Sequence, residues 1–391
     1  MHALPSPKVA SRILPINARA LPLRRALLTP CMASAINSRR SFASSFPRRD
    51  EKVLQVAKTN EKSIIGPGAE GPHITLRLSE DLSPKTPVVV PSSTEELRGD
   101  WVLFHPVYSP EELRSVEVLF RDAKTFSDRV AHTFVKIARW AFDFASGYKH
   151  KPLPANAATM SLEELRKGGY LMDESQWLRR ILFLESIAAV PGMVAAALRH
   201  LRSLRLMRRD HGWIHTLLEE AENERMHLMT FMTLKNPSRL FRAMVLGAQG
   251  VFYNAFFLCY LISPSTCHRF VGHLEEEAVV TYTRCIQEIE AGRLPEWTNL
   301  PAPEIAKDYW RLGPDAKFLD VVYAVRSDES THRFVNHSLA SLKYESDINP
   351  FALQEPDMTT KGSRICFERD ESARFAEEAH RKITDRRGEA A

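Results

Sequence analysis

Acidic residues are missing from the first 49 positions. Nine Lys and Arg side chains stand there (Lys8, Arg12, Arg19, Arg24, Arg25, Arg39, Arg40, Arg48 and Arg49), with Ser, Ala and Leu between them. That composition is expected of a mitochondrial targeting presequence spanning 1–49, with Arg39–Ser44 as a processing region. No uninterrupted apolar run follows the basic residues, which argues against a secretory signal. Cysteine is also scarce. Of five in 391 residues, none forms a C-x-x-C, so neither a disulfide framework nor a thiolate zinc site is indicated. Reduced thiols are expected at Cys259, Cys267, Cys285 and Cys366. A His-Glu-x-x-His zinc-protease motif is absent as well. The basic excess lies in the first 49 residues and the rest of the chain is close to neutral, so a nucleic-acid partner is not expected.

The remaining chain divides by its punctuation. Residues 50–108 carry repeated Pro and Gly and read as an extended arm. Ser109-Pro110-Glu111-Glu112 is a helix start, and apolar residues at three-to-four spacing extend the helical expectation to about Phe144. Helices are further expected from Asp173, kinked at Pro191; over 213–231; over the apolar 243–262; from Pro264 onward; and over 315–340. Residues 346–391 read as a charged tail.

Within these helices Glu224 and His227 stand three apart, and Glu329 and His332 repeat the spacing. Residues three apart share a helix face. Two Glu-x-x-His pairs, plus a lone Glu from each of two other helices, form the ligand set of a carboxylate-bridged two-metal bundle. Glu185 is the first lone candidate, because it interrupts an apolar run where an unpaired carboxylate is prohibitive. Glu275 is the second. Of the three adjacent acids Glu275, Glu276 and Glu277, it shares a seven-residue stripe with His268 and Tyr282. Glu276 and Glu277 are left to pair with basic residues or to line an entrance. The glutamates are separated by 39, 51 and 54 residues, room each time for a helix and a connection.

Four carboxylates and two imidazoles can hold two divalent irons per chain with little net charge; manganese or zinc also suits the oxygen-rich set. Tyr282 is placed to give an electron and a proton to an activated oxygen species. Asp328 and Asn223 are placed to support the ligands, Asp328 by holding the far nitrogen of a histidine. The ligand pattern alone also admits a ferritin-type store and a hydroxylase or desaturase acting on a membrane lipid or quinone.

The stretch 243–262 is long enough to span a bilayer, and 181–199 approaches that length. A crossing by either would separate the ligands. Both are therefore expected to place an apolar face in one leaflet, flanked by Arg179, Arg180, Arg202, Arg205, Arg242 and Arg269. The fold class expected is all-α: a ferritin-like di-iron four-helix bundle with two additional membrane-surface helices, monotopic.

Leu184-Glu185-Ser186 with Val190-Pro191-Gly192-Met193, Asn223-Glu224-Arg225-Met226-His227-Leu228, Leu274-Glu275-Glu276-Glu277-Ala278 and Arg326–Arg333 together closely resemble the mitochondrial alternative oxidase family. The resemblance covers roughly 100–345, within a domain set at 109–345. It implies a homodimeric quinol oxidase on the matrix face of the inner mitochondrial membrane, oxidising two ubiquinols and reducing O2 to two waters without pumping protons. It implies iron on Glu185, Glu224, His227, Glu275, Glu329 and His332, a redox-active Tyr282, and Asn223 and Asp328 as supporting residues. Arg180, Leu184, Leu274, Glu277, Ala278 and Thr281 resemble the family's quinol pocket, and His200 and His268 its neighbours that assist structure or proton transfer. Ser186 departs from the more frequent Thr but keeps a hydroxyl. Residues 50–180 hold no cysteine, so the thiol switch of plant members is not expected.

Overall fold

Many helices of this chain begin where a short polar side chain accepts from one of their first amide groups. In the computed structural model, which describes residue 105 and residues 107–389, thirteen α-helices form and no β-strand occurs among the described residues. They are α1 (Pro110–Arg114), α2 (Phe126–Ser146), α3 (Leu162–Lys167), α4 (Glu174–Ala188), α5 (Val190–Leu206), α6 (Trp213–Met232) and α7 (Arg239–Ile262). There follow α8 (Pro264–Glu290), α9 (Pro295–Thr298), α10 (Glu304–Trp310), α11 (Phe318–Ala340), α12 (Met358–Ser363) and α13 (Arg369–Glu389). The targeting segment and nearly all of the 50–108 arm lie outside the described residues.

Four helices surround the candidate ligands: α4, α6, α8 and α11. Asp173 caps α4 through the Gln176 amide, and Ser263 caps α8 through Thr266. The chain enters α6 through Gly212, whose φ of +83° suits glycine. Asp320 accepts from the Lys317 amide at 2.8 Å to begin α11. The core is helix on helix. One cluster joins Trp177, Leu178 and Ile181 of α4 to Phe231, Ile286, Trp297, Phe318 and Val322. A second joins Val194, Trp213, Leu217, Tyr260, Val271, Phe334, Phe351 and Phe367. Between them, α11 is buried along almost its whole length even though many of its residues are polar.

Gly272 permits α8 and α11 to approach closely. A Cβ there would come within 2.6 Å of the His337 ring. The polar groups at this crossing fix one another's protons. Arg269 donates to His337 Nδ1 at 2.9 Å, so that nitrogen accepts and Nε2–H donates to Glu276 at 2.8 Å. Likewise Asn336 donates through its amide nitrogen to Glu220, so its oxygen accepts from His268 Nδ1, and His268 Nε2 accepts from the Tyr260 hydroxyl. Burial lowers both His268 and His337 to about 4. Each is neutral in the fold, whereas in the unfolded chain it would take up a proton near pH 6.5. Their contribution to stability is therefore lost as pH falls from about 6.5 to about 4. In ring-15N NMR, neither imidazole is expected to titrate between pH 7.5 and 5; a midpoint near 6.5 for either would contradict the neutral assignment.

The helical expectation from Ser109 to Phe144 is interrupted. After α1 the chain is non-helical until Thr125, and there a second capping box with Asp128 starts α2. In the gap, Val116 is buried, the Glu117 amide donates to Gly362, and the Arg121 amide donates to Glu276. Tertiary partners have taken these amides from a helix ladder. The kink at Pro191 falls where α4 meets α5. The segment after residue 346 adds more to the core than its charge suggested, since Phe351, Met358, Cys366 and Phe367 are buried.

Candidate metal centre

Six side chains from four helices converge between the two apolar clusters. Glu185 comes from α4, Glu224 and His227 from α6, Glu275 from α8, and Glu329 and His332 from α11. They form two overlapping groups, each with ligand atoms within 4.8 Å of one another: Glu185, Glu224, His227 and Glu329, and Glu224, Glu275, Glu329 and His332. Glu224 and Glu329 belong to both. Each group thus has one histidine, one glutamate of its own, and two shared glutamates.

The donor atoms meet without hydrogen-bonding one another. His227 Nδ1 lies 3.4 Å from Glu185 Oε2, 3.5 Å from Glu224 Oε2 and 3.4 Å from Glu329 Oε1. His332 Nδ1 approaches Glu224 Oε1 at 2.7 Å and Glu329 Oε2 at 3.8 Å. Glu185 Oε2, both Glu224 oxygens, His227 Nδ1 and His332 Nδ1 are buried with no hydrogen-bond partner. A native core rarely orphans five polar atoms in one place. Atoms bound to a common metal at about 2 Å stand roughly 3 Å apart, close to this spacing. The donor set therefore fits a pair of divalent cations.

Electrostatics gives the same answer. Burial, reinforced by neighbouring carboxylates, raises Glu185 to about 8 and pushes Glu275 well above the carboxylate range. Against the opposing effect of burial, the facing carboxylates raise His227 and His332, while the two imidazoles hold Glu224 low. Protons balance charge in this cluster, and cations can replace them.

Asp328 orients one of the candidate ligands. His227 Nε2 stands 3.0 Å from Asp328 Oδ2, which also accepts from Asn223 at 2.9 Å and Trp310 at 2.8 Å. Its other oxygen accepts from the Tyr108 hydroxyl at 2.6 Å and meets His105 Nε2 at 2.8 Å. Burial alone would raise this carboxyl; His105 and His227 instead hold it well below the usual range. With Nε2–H given to Asp328, the lone pair of His227 is on Nδ1, inside the cluster. Asn223 also donates to the Tyr309 hydroxyl at 2.9 Å. Sequence reasoning missed His105, Tyr108, Tyr309 and Trp310, whose positions depend on a loop and a short helix with no periodic signal.

Tyr282 donates its hydroxyl hydrogen to Glu185 Oε1 and stacks on Phe231. Burial and Glu185 raise its phenol well above its ordinary value, so it keeps its proton. Its stripe partner His268 does not share this setting, being bonded to Tyr260 and Asn336. Seven residues advance slightly less than two full turns, so a heptad stripe drifts around a straight helix.

The side chains expected at a quinol pocket lie on or against α2, α4 and α8. Arg180 bonds Asp143 at 2.7 Å and lies over the rings of Phe142 and Tyr148. Glu277 pairs with Arg139, and Thr281 donates to the Glu277 carbonyl at 2.8 Å. Leu184 is exposed, while Leu274 and Ala278 are half-buried. Glu276 faces away from this group into a hub with His273 and His337.

Comparison with known proteins adds an independent line. The family model described as alternative oxidase matches residues 108–341. A protein of Cryptococcus neoformans var. grubii named mitochondrial alternative oxidase is 50% identical over 368 residues, covering 90% of both chains. Relatives of the same name are 56% identical over 263 residues in Emericella nidulans (67% of this chain, 71% of that one) and 52% over 266 residues in Aspergillus niger (68% and 73%). The matched span contains all six converging side chains and Asp328 with its partners other than His105, and on that extent the chain belongs to the alternative oxidase family.

Proposed function

We propose that this protein is a ubiquinol:oxygen oxidoreductase, a non-proton-pumping terminal oxidase that oxidises two ubiquinols and reduces O2 to two waters at a di-iron centre. The carrying observation is the sharing of Glu224 and Glu329 between the two donor groups, which suits two bridging carboxylates. Glu185 and His227 would then complete one iron's ligands, and Glu275 and His332 the other's. When bound, the iron pair supplies the electron store between a two-electron donor and a four-electron acceptor. Two quinols release four electrons and four protons, the number O2 needs to become two waters.

The protein's own groups manage geometry and protons. Asp328 presents His227 in one tautomer, and Asn223 braces Asp328. Tyr282 holds a proton beside Glu185 and can deliver it, with an electron, where oxygen is reduced. Arg180, Leu184, Leu274, Glu277, Ala278 and Thr281 are the proposed walls for the quinol: apolar contact for the ring and tail, and charged groups for its hydroxyls.

The quinol is lipophilic, and the surface suits a lipid source. Arg239–Ile262 is long and apolar, yet only 11% of its most apolar window is buried in the protein. Leu240, Met244, Leu246, Val251, Leu258 and Ile262 are exposed along it, and Phe126, Phe134, Trp140 and Phe144 along α2. Convergence of ligands from α4, α6, α8 and α11 supports a chain resting in one leaflet rather than crossing it. The mitochondrial names of the relatives fit a targeting role for 1–49 and placement on the matrix side of the inner membrane. A homodimer, with residues 50–108 as an arm, completes the proposal.

The test is O2 uptake by purified protein of known iron content, driven by ubiquinol in cyanide. Expected is two quinols consumed per O2, lost with chelation of iron. Iron-replete protein that consumes no O2 with ubiquinol would overturn the reading.

A further inference from the structure

The hub of His273, Glu276 and His337 has three ligand-type groups within 4.8 Å, but its interior is already satisfied. Glu276 accepts from His273 Nδ1 at 3.0 Å, from His337 Nε2 at 2.8 Å and from the Arg121 amide at 2.8 Å. Arg269 fills the remaining nitrogen of His337 and would repel a cation placed there. Three N–H donors around one carboxylate suit an ionised Glu276.

One atom is left over. His273 is almost fully buried, at 1% exposure, and its Nε2 has no hydrogen-bond partner. Because Nδ1–H is given to Glu276, Nε2 carries the lone pair. A carboxylate holding the far nitrogen of an imidazole is the arrangement that orients metal-binding histidines. Across the seam between α8 and α2 stands His132, its ring centroid 5.1 Å from that of His273 and its plane tilted by 44°. Two imidazoles bound tetrahedrally to one zinc through bonds of about 2 Å have centroids roughly 5 Å apart. His132 is half-buried and offers a route from solvent. Partial burial and Lys136, one turn along α2, hold it below its ordinary pKa, so it has a free lone pair at neutral pH.

We propose that His132 and His273 form a second metal site, separate from the six-ligand cluster, which binds one borderline divalent transition metal such as Zn2+ or Cu2+ between α2 and α8. Imidazole nitrogen suits these ions, and Glu276 supports the buried ligand from behind. Water completes the coordination on the His132 side. Lys136 limits the affinity by repulsion, so the site suits reversible occupation. A metal here would tie α2 to α8 two helical turns before Arg139, which reaches Glu277 across the same seam.

The test is equilibrium titration of the iron-loaded, full-length protein with Zn2+, with iron measured before and after. Expected is one Zn2+ per chain with iron unchanged, and a loss of affinity of about tenfold or more in both His132→Gln and His273→Phe. Cu2+ bound to the unmutated protein should show hyperfine splitting from two imidazole nitrogens, a readout that depends on no variant folding. Three results would each overturn the proposal: zinc uptake matched by iron loss, unchanged zinc affinity in His132→Gln, or a copper spectrum with fewer than two nitrogens. Loss of zinc in His337→Gln with His132→Gln unaffected would instead place the metal in the hub and equally reject the site.

Discussion

Glu224→Ala is expected to lose iron and quinol oxidase activity together. Glu224 is in both donor groups, and its two oxygens face opposite histidines, Oε2 toward His227 and Oε1 toward His332. Its removal takes a ligand from both proposed irons and leaves each with three protein groups. Removing a residue that only orients a metal ligand typically costs about 10- to 100-fold in metal affinity. Deleting a shared ligand should cost more, so the purified variant should hold well under one iron per chain. Glu222→Ala is the control. Glu222 is exposed two residues away and pairs only with Arg225, so iron and turnover should survive. Helical circular dichroism of both variants separates metal loss from unfolding. Retention of two irons by Glu224→Ala would sink the ligand assignment.

Tyr282→Phe should have the opposite profile: full iron loading with turnover reduced by roughly 100-fold, the scale of a lost proton-transfer group. The ring remains, so the stacking on Phe231 and the packing of α8 survive. What disappears is one hydroxyl, which donates to Glu185. Because burial and Glu185 raise that hydroxyl well above its ordinary value, it keeps its proton through the neutral range. The variant should therefore lower turnover across the whole pH profile rather than shift it. Wild-type turnover with two irons bound would show that Tyr282 is only a packed core tyrosine.

Much of the candidate site was legible because its chemistry is repeated. Two Glu-x-x-His pairs at one helical period are hard to arrange by chance, and Glu185 stood out as a carboxylate in an apolar run. The heptad stripe selected Glu275, which stands in the second donor group, yet grouped it with His268, which bonds Tyr260 and Asn336 instead. Glu276 shows the limit of that reasoning. It is buried, but it serves a hydrogen-bond hub whose other members are His273 on α8, His337 on α11 and the Arg121 amide in the loop before α2. The break between α1 and α2 was written in Thr125-x-x-Asp128, a second capping box, but apolar periodicity ran on across it. His105, Tyr108 and Trp310 gave no local signal, because their shared role exists only where Asp328 gathers them.

The polar, buried α11 also bears on how the protein is made. Its side chains find their partners far away in sequence: Asp328 at residues 105, 108 and 223, Asn336 at 220, and Arg333 at the carbonyls of 117, 361 and 362. In isolation those groups would prefer water, so the helix has little reason to hold together before the rest has assembled. Such long-range pairing slows folding, since large loops must close before any contact repays their entropy. Two of the six candidate donor side chains, Glu329 and His332, ride on this helix, and Glu329 belongs to both donor groups. A chain in which α11 has not docked therefore presents its Glu and His side chains singly to passing metal. Cofactor insertion becomes a late event, coupled to α11 docking and to closure of the 358–367 segment over Arg333. Mutations in that distant C-terminal clasp should show first as poor cofactor loading in freshly made protein.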